Sequence, residues 1–207
     1  QRQSLYTESD IGKLKSEALK SHLDKVNSSI KIYSHADNLD RRSADTLLSA
    51  DIILDCTDNL ETRRVINAWC LENKKAWIHA AVAGSKGSVM TFIPEGPCFD
   101  CIFPKSDKTN DAATCENLGV LNSAAHVIAS LQANEAIKFI LGEDPCKDLI
   151  RIDIKTCKIE MFKAKKDPSC ASCGKIAKKP AEGNEKEDFI VKKCTTKAAY
   201  SAKKNTK

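Results

Sequence analysis

The sequence predicts an α/β domain built on a mainly parallel sheet with flanking helices and a C-terminal β-hairpin. Three observations carry that expectation. Segments of helical and strand periodicity alternate along residues 9–141, Ile52-Ile53-Leu54 is a continuous apolar run suited to a strand buried on both faces, and two short strand-like segments follow at 149–162. Right-handed crossovers join the parallel strands of such domains.

Each element has its own signal. Residues 9–26 place Ile11, Leu14, Ala18, Leu19, Leu23 and Val26 at helical spacing with lysines on the other face, which predicts an amphipathic helix. Ile30-Lys31-Ile32-Tyr33 alternates as a short strand, residues 44–49 form a brief helix, and the apolar run at 52–54 follows. A helix is predicted over 60–72, then strands over 76–81 and 88–93. Gly84-Ser85-Lys86-Gly87 between those strands lacks the spacing of either Gly-rich phosphate fingerprint and reads as a turn. Residues 94–119 are loop-like, rich in Pro, Asp, Asn and Cys. The longest helix spans 123–141, with Val127, Ile128, Leu131, Ala136, Ile137 and Ile140 toward a core, Asn122 or Ser123 as N-cap and Gly142 as the stop. Segments 149–154 and 158–162 make the closing hairpin.

With 207 residues, 42% hydrophobic and 29% charged, the chain is long enough for one domain with a sizeable core. Charge is unevenly placed: residues 175–207 carry ten lysines against four acidic residues, so the net +5 leaves residues 1–174 close to neutral. The 175–207 stretch, with Phe189-Ile190-Val191 as its one apolar island, reads as a disordered, solubilising tail or a weak contact for an acidic partner. Residues 1–174 form the folded domain. No internal repeat, apolar signal region or run of 18 apolar residues is visible, so a cytoplasmic protein without membrane spans is expected.

Two cysteine pairs, Cys98-Phe99-Asp100-Cys101 and Cys170-Ala171-Ser172-Cys173, supply the four thiolates of a closed tetrahedral zinc site. Compact nucleic-acid-binding ribbons keep their knuckles roughly 15–20 residues apart; here a whole supersecondary unit fits between them, so a structural zinc would staple distant segments. Redox-active dithiols or disulfides are the alternative, disfavoured in a reducing compartment. The other six of the ten cysteines are scattered. A neutral body and 5% aromatic content disfavour a nucleic-acid partner.

Asp55-Cys56-Thr57-Asp58-Asn59 sits at the carboxyl end of the apolar strand, where α/β sheets bind ligands. Asp58 either holds a Mg²⁺ bridging substrate phosphates or caps the helix that begins near Leu60. Arg2, Lys13 and Lys15 either neutralise phosphate charge or are merely solvated. Cys115, in Thr114-Cys115-Glu116, lies in a polar loop before a helix; it is either a nucleophile with a depressed pKa or inert. His22, His35, His79 and His126 show no metal spacing and are read as surface or core residues.

Taken together, Gln1-Arg2-Gln3, Gly12-Lys13-Leu14-Lys15, Asp55-Cys56-Thr57-Asp58-Asn59, both knuckles, Thr114-Cys115 and residues 131–138 (Leu-Gln-Ala-Asn-Glu-Ala-Ile-Lys) resemble the ThiF/MoeB/HesA group, relatives of ubiquitin-activating enzymes. The resemblance covers about residues 1–174. It implies a Rossmann-like fold and an ATP-dependent adenylyltransferase: the C-terminal Gly-Gly carboxylate of a ubiquitin-like or sulfur-carrier protein is adenylated, and a thiol or persulfide then attacks the activated carbonyl. By the same resemblance Arg2 and Lys15 contact phosphates, Asp58 with Asn59 forms the magnesium and nucleotide turn, and Cys115 transfers sulfur or forms a thioester. A homodimer, a sulfur donor and service to a thiamine or molybdopterin type of pathway are also implied.

One departure stands out. Family members carry, ahead of the region matching Gln1, a strand, a Gly-rich nucleotide loop, a helix and a ribose-binding acidic residue, and this sequence has none of them. A fragment lacking its phosphate cradle is expected, binding ATP poorly alone. The competing expectation is a catalytically inactive, zinc-stapled scaffold that keeps only partner contacts.

Overall fold

The sheet is where the sequence places it, but it is not mainly parallel. A computed structural model of the chain describes residues 3–104 and 119–174. They divide into two units, one of Gln3–Ala36 and one of the described residues from Asp37 onward.

In the second unit five strands lie in the order β1-β2-β3-β4-β5, with β1 at Ile52–Asp55, β2 at Ala76–Ala83, β3 at Lys86–Phe92, β4 at Leu149–Asp153 and β5 at Lys158–Phe162. Of the four pairings between these strands only β1–β2 is parallel, joined through a helix; β2–β3, β3–β4 and β4–β5 are antiparallel, and one isolated parallel bridge joins Gly84 to Val120. The expectation of a mainly parallel sheet is therefore corrected. The reason is local: Gly84 and Ser85 are all that separates β2 from β3, and two residues can close a hairpin but cannot return a chain to a parallel neighbour. Gly84 takes φ +60°, the left-handed region such a turn uses.

Helices cover both faces, as expected. Helix α2, Leu60–Asn73, packs with Ile53, Trp77, Met90, Phe92 and Leu149 through Ile66, Trp69 and Cys70. Helix α4, Asn122–Ile140, seals the other face, where Ile128 and Ala136 meet Ile78, Val89 and Ile152. Alternation along the strands explains the division, because Trp77 and Ile78 point to opposite sides of the sheet. Gly87 is required by this packing: a Cβ there would lie 2.3 Å from Cγ1 of Ile128. Helix α4 is capped by the backbone of Leu121, with no side-chain bond from Asn122 or Ser123, and ends before Gly142 at φ +74°. A short helix α3, Phe99–Ile102, carries the first knuckle.

The first unit contains α1, Lys15–Val26, preceded by a 3₁₀ turn at Glu8–Asp10. The single helix expected over 9–26 is thus interrupted. Asp10 caps the first turn by accepting from the Thr7 amide and hydroxyl, and Gly12 at φ +88° breaks the run. Ile30–Tyr33 forms no strand; an alternating pattern becomes a strand only beside a neighbour that takes its N–H and C=O groups, and the described part of this unit offers none. The helix expected over 44–49 is a 3₁₀ segment at Ser43–Leu47. No helix among the described residues is long and apolar enough to cross a membrane.

Candidate functional site: the acidic turn after β1 and the four-cysteine cage

The turn is built on a buried ionic hub. β1 delivers Asp55 into the interior, its side chain fully buried, where Oδ2 accepts from Arg63 Nε at 3.0 Å and from His79 Nδ1 at 3.2 Å. Oδ1 accepts from the amide (2.9 Å) and hydroxyl (2.6 Å) of Thr57. Arg63 Nη2 also donates to the Thr57 carbonyl. Burial alone would push the Asp55 carboxyl up, but the His79, Thr57 and Arg63 contacts outweigh it and hold the pKa below the ordinary carboxylate value. His79 is moved down, chiefly by burial and against the pull of Asp55, so it stays neutral and serves as a donor. An ionised Asp55, a charged Arg63 and a neutral His79 make a fully partnered set, as a buried charge requires.

Beyond this hub the chain turns outward. Asn59, not Asp58, caps α2: its Oδ1 accepts from the Thr62 amide at 2.8 Å. Asp58 is therefore not the helix cap. Its carboxylate is exposed at the carboxyl end of a parallel strand, with one long contact, 3.4 Å, from the Asn59 amide. Behind the turn, Gln132 of α4 donates from Nε2 to the carbonyls of Asp55 (2.8 Å) and Ile78 (2.9 Å), tying the ends of β1 and β2 together.

The second feature is the cage. Cys98, Cys101, Cys170 and Cys173 bring their sulfurs within 4.8 Å of one another and could hold one metal ion. The Sγ–Sγ separations Cys98–Cys101, Cys98–Cys170 and Cys101–Cys173 are 3.8, 3.6 and 3.4 Å. A tetrahedral zinc with Zn–S of about 2.3 Å sets a sulfur–sulfur edge of about 3.8 Å, so the donor set fits. The Asp167 amide donates to Cys101 Sγ at 3.4 Å, which favours thiolate there. The expected pairs thus converge although 72 positions separate Cys98 from Cys170.

Asp100, between the first two cysteines, links the cage to α2. It accepts from Ser172 of the second knuckle at 2.5 Å and from Arg64 and Asn67 of α2 at 3.3 and 3.4 Å. Asn67 also accepts from the Phe99 amide at 2.9 Å. The Phe99 ring is wholly buried against Trp77, Phe92, His79 and Phe103.

Lys15 is exposed at the start of α1 in the first unit. Arg2 and Cys115 lie outside the described residues, as does the 175–207 tail. Arg63, His79, Gln132 and Asp100 were not singled out as site residues by sequence. One signal was there for Arg63: with Ile66, Asn67 and Cys70 it forms a stripe at helical spacing, and a cation on an otherwise buried stripe implies a buried anion opposite.

Comparison with known proteins gives this geometry a family. The chain is 38% identical over 143 residues to "Adenylyltransferase and sulfurtransferase MOCS3" of Aedes aegypti, matching 68% of this chain but 33% of that protein. It is 33% identical over 178 residues to "Sulfur carrier protein ThiS adenylyltransferase" of Escherichia coli, matching 84% of this chain and 70% of the relative. The fold resembles the solved structure of E. coli MccB with ATP, at a TM-score of 0.69 and 26% identity, covering 83% of this chain and 54% of that one. The chain thus spans about a third of the mosquito relative and about half of the solved structure. The sequence profile described as "ThiF family" matches residues 1–172, most of the chain's length, and the chain belongs to the ThiF family.

Proposed function

We propose that this chain is part of an ATP-dependent adenylyltransferase acting on the C-terminal glycine of a ubiquitin-like or sulfur-carrier protein. The observation that carries the reading is the exposed, uncapped Asp58 carboxylate on a turn immobilised from beneath, at the strand end where α/β sheets take nucleotides. Names of relatives support it, since the Escherichia coli and Aedes proteins are called adenylyltransferases.

In the reaction, a carboxylate oxygen of the carrier's terminal glycine attacks the α-phosphorus of ATP. The bond to the bridging oxygen breaks, and pyrophosphate leaves with the electron pair and its charge. The demand on the protein is positioning and charge neutralisation rather than covalent chemistry. Asp58 is suited to hold Mg²⁺, which supplies positive charge against the phosphates and is bound through one or two carboxylates. Asn59 holds the turn's exit through its cap. Lys15 and Arg2 are proposed to neutralise phosphate oxygens, and the Cys115 thiolate to attack the acyl carbonyl, forming a thioester and releasing AMP. The cage is proposed to hold structural zinc, its four thiolates leaving no position for water. A homodimer and a persulfide sulfur donor belong to the same reading.

The test is ATP–pyrophosphate exchange by the intact protein with a Gly-Gly-terminated carrier. Exchange that depends on the carrier and falls in Asp58→Ala supports the reading; equal rates in the two proteins remove Asp58 from the chemistry. For Cys115, a covalent carrier adduct mapped to a different cysteine overturns its role.

A further inference from the structure

The hub beneath the acidic turn does more than fill the core. Thr57, immediately before Asp58, is held at three backbone and side-chain atoms. Its amide and hydroxyl donate to Asp55 Oδ1, and its carbonyl accepts from Arg63 Nη2. Asn59, immediately after Asp58, is held as the N-cap of α2. Asp58 is thus fixed on both sides of its Cα, while its own carboxylate is left exposed and almost without partners. Among the described residues Arg63 is the one side chain that grips both ends of the Asp55–Thr57 segment, Nε on Asp55 and Nη2 on Thr57. Its planar fork serves both from two nitrogens held in a fixed geometry, which the single nitrogen of a lysine of the same charge does not reproduce.

We propose that Arg63, through Asp55 and the Thr57 carbonyl, is a positioning residue that aims the Asp58 carboxylate at the divalent cation. The inference rests on the proposed role of Asp58. Neutralising Asp55 takes the Nε bond, and the Nη2 donor, which burial requires to be paired, is placed on a backbone carbonyl of the turn itself. The second bond, to a backbone carbonyl two residues further on, constrains the direction of the peptide plane that leads into Asp58. His79 acts on the same oxygen: its Nδ1 donor shares Oδ2 with Arg63, and its ring packs against those of Phe99 and Phe103. Both oxygens of Asp55 are thereby engaged, Oδ2 by Arg63 and His79 and Oδ1 by Thr57. Preorganisation of this kind lowers the cation concentration at which the carboxylate competes with water.

The experiment is the Mg²⁺ dependence of carrier-dependent ATP–pyrophosphate exchange in the intact protein, with thermal unfolding measured alongside. Four variants are compared with wild type: Arg63→Lys, Thr57→Ser, Thr57→Val and Asp58→Asn. Arg63→Lys is expected to raise the half-saturating Mg²⁺ about 10-fold, the scale of losing a partner that orients a metal ligand. Its shortfall is expected to shrink as Mg²⁺ is raised. Thr57→Ser, which keeps the hydroxyl, is expected to stay close to wild type, and Thr57→Val to shift in the direction of Arg63→Lys. Those two Thr57 variants decide the matter if Arg63→Lys fails to fold. A lowered melting temperature with unchanged Mg²⁺ dependence in both Arg63→Lys and Thr57→Val overturns the inference and leaves Asp58 in place if Asp58→Asn is shifted. Unchanged Mg²⁺ dependence in Asp58→Asn overturns the proposed role of Asp58 and this inference with it.

Discussion

Removing metal from the four-cysteine cage is expected to cost the protein about 4 kcal/mol. The cage joins Cys98 to Cys170, 72 positions apart, so a bound ion restricts the unfolded chain much as a cross-link closing a loop of that length does. The loop-closure relation for such a cross-link gives about 4 kcal/mol at 25 °C. For a chain of roughly 150–250 residues each kcal/mol moves the melting temperature by about 2–4 °C, so a drop of about 8–16 °C is predicted. The assay is calorimetric unfolding before and after chelation under reducing conditions, with metal content measured on the same samples. The loaded protein should hold one ion per chain, bound by Cys98, Cys101, Cys170 and Cys173. Equal melting temperatures, or protein that carries no ion and no zinc after reconstitution, would refute the stapling argument. The four sulfurs would then be core thiols gathered by packing.

Three further outcomes follow from the same structure. His79 has a lowered pKa in the folded state, so between its ordinary value of 6.5 and that lowered value the unfolded chain binds a proton that the folded chain refuses. Stability should therefore fall as pH drops below about 6.5, and again below the ordinary carboxylate range as Asp55, whose folded pKa is lowered, takes its proton. Urea unfolding at pH 7 and pH 5 should show a smaller difference for His79→Asn than for wild type; an identical difference contradicts the neutral-donor assignment. Gln132→Leu removes the side-chain donor that the carbonyls of Asp55 and Ile78 share, and should cost about 1–3 kcal/mol in urea unfolding; a loss below about 0.5 kcal/mol would show that the bridge is dispensable. Gly87→Ala forces Ile128 aside and should cost about 1–3 kcal/mol, and less in an Ile128→Ala background, where Cγ1 and Cδ1 are both gone; an equal cost in the two backgrounds would place the clash at the Ala81 carbonyl instead.

The sequence was most legible where pattern is local. The hairpin, α2 and α4 fall within a few residues of their expected bounds because apolar spacing and stop residues such as Gly142 act at short range. Sheet polarity is not legible in the same way: alternation of elements suggests parallel strands, whereas the two-residue Gly84-Ser85 link, visible only once the strand ends are fixed, dictates an antiparallel pair. Ile30–Tyr33 failed for the complementary reason, since a strand is a property of two segments. In the site, the cysteine spacing is enough to expect convergence of the cage, and the acidic turn at 55–59 is read from its place at the end of an apolar strand. The hub of Asp55, Arg63 and His79 was missed because each partner lies on a different element, and pairing across elements leaves no spacing to read. Even so, a lone cation at position 63 of a buried stripe was a signal that a partner anion must exist.

The account stands most directly on whether this domain activates a carboxylate. Intact-mass measurement of a Gly-Gly-terminated carrier, after incubation with ATP, Mg²⁺ and the intact protein, should show one AMP joined to the carrier's C-terminus, and none with Asp58→Ala. A carrier that stays unmodified with the active, metal-loaded protein, or is adenylated equally by Asp58→Ala, would contradict it.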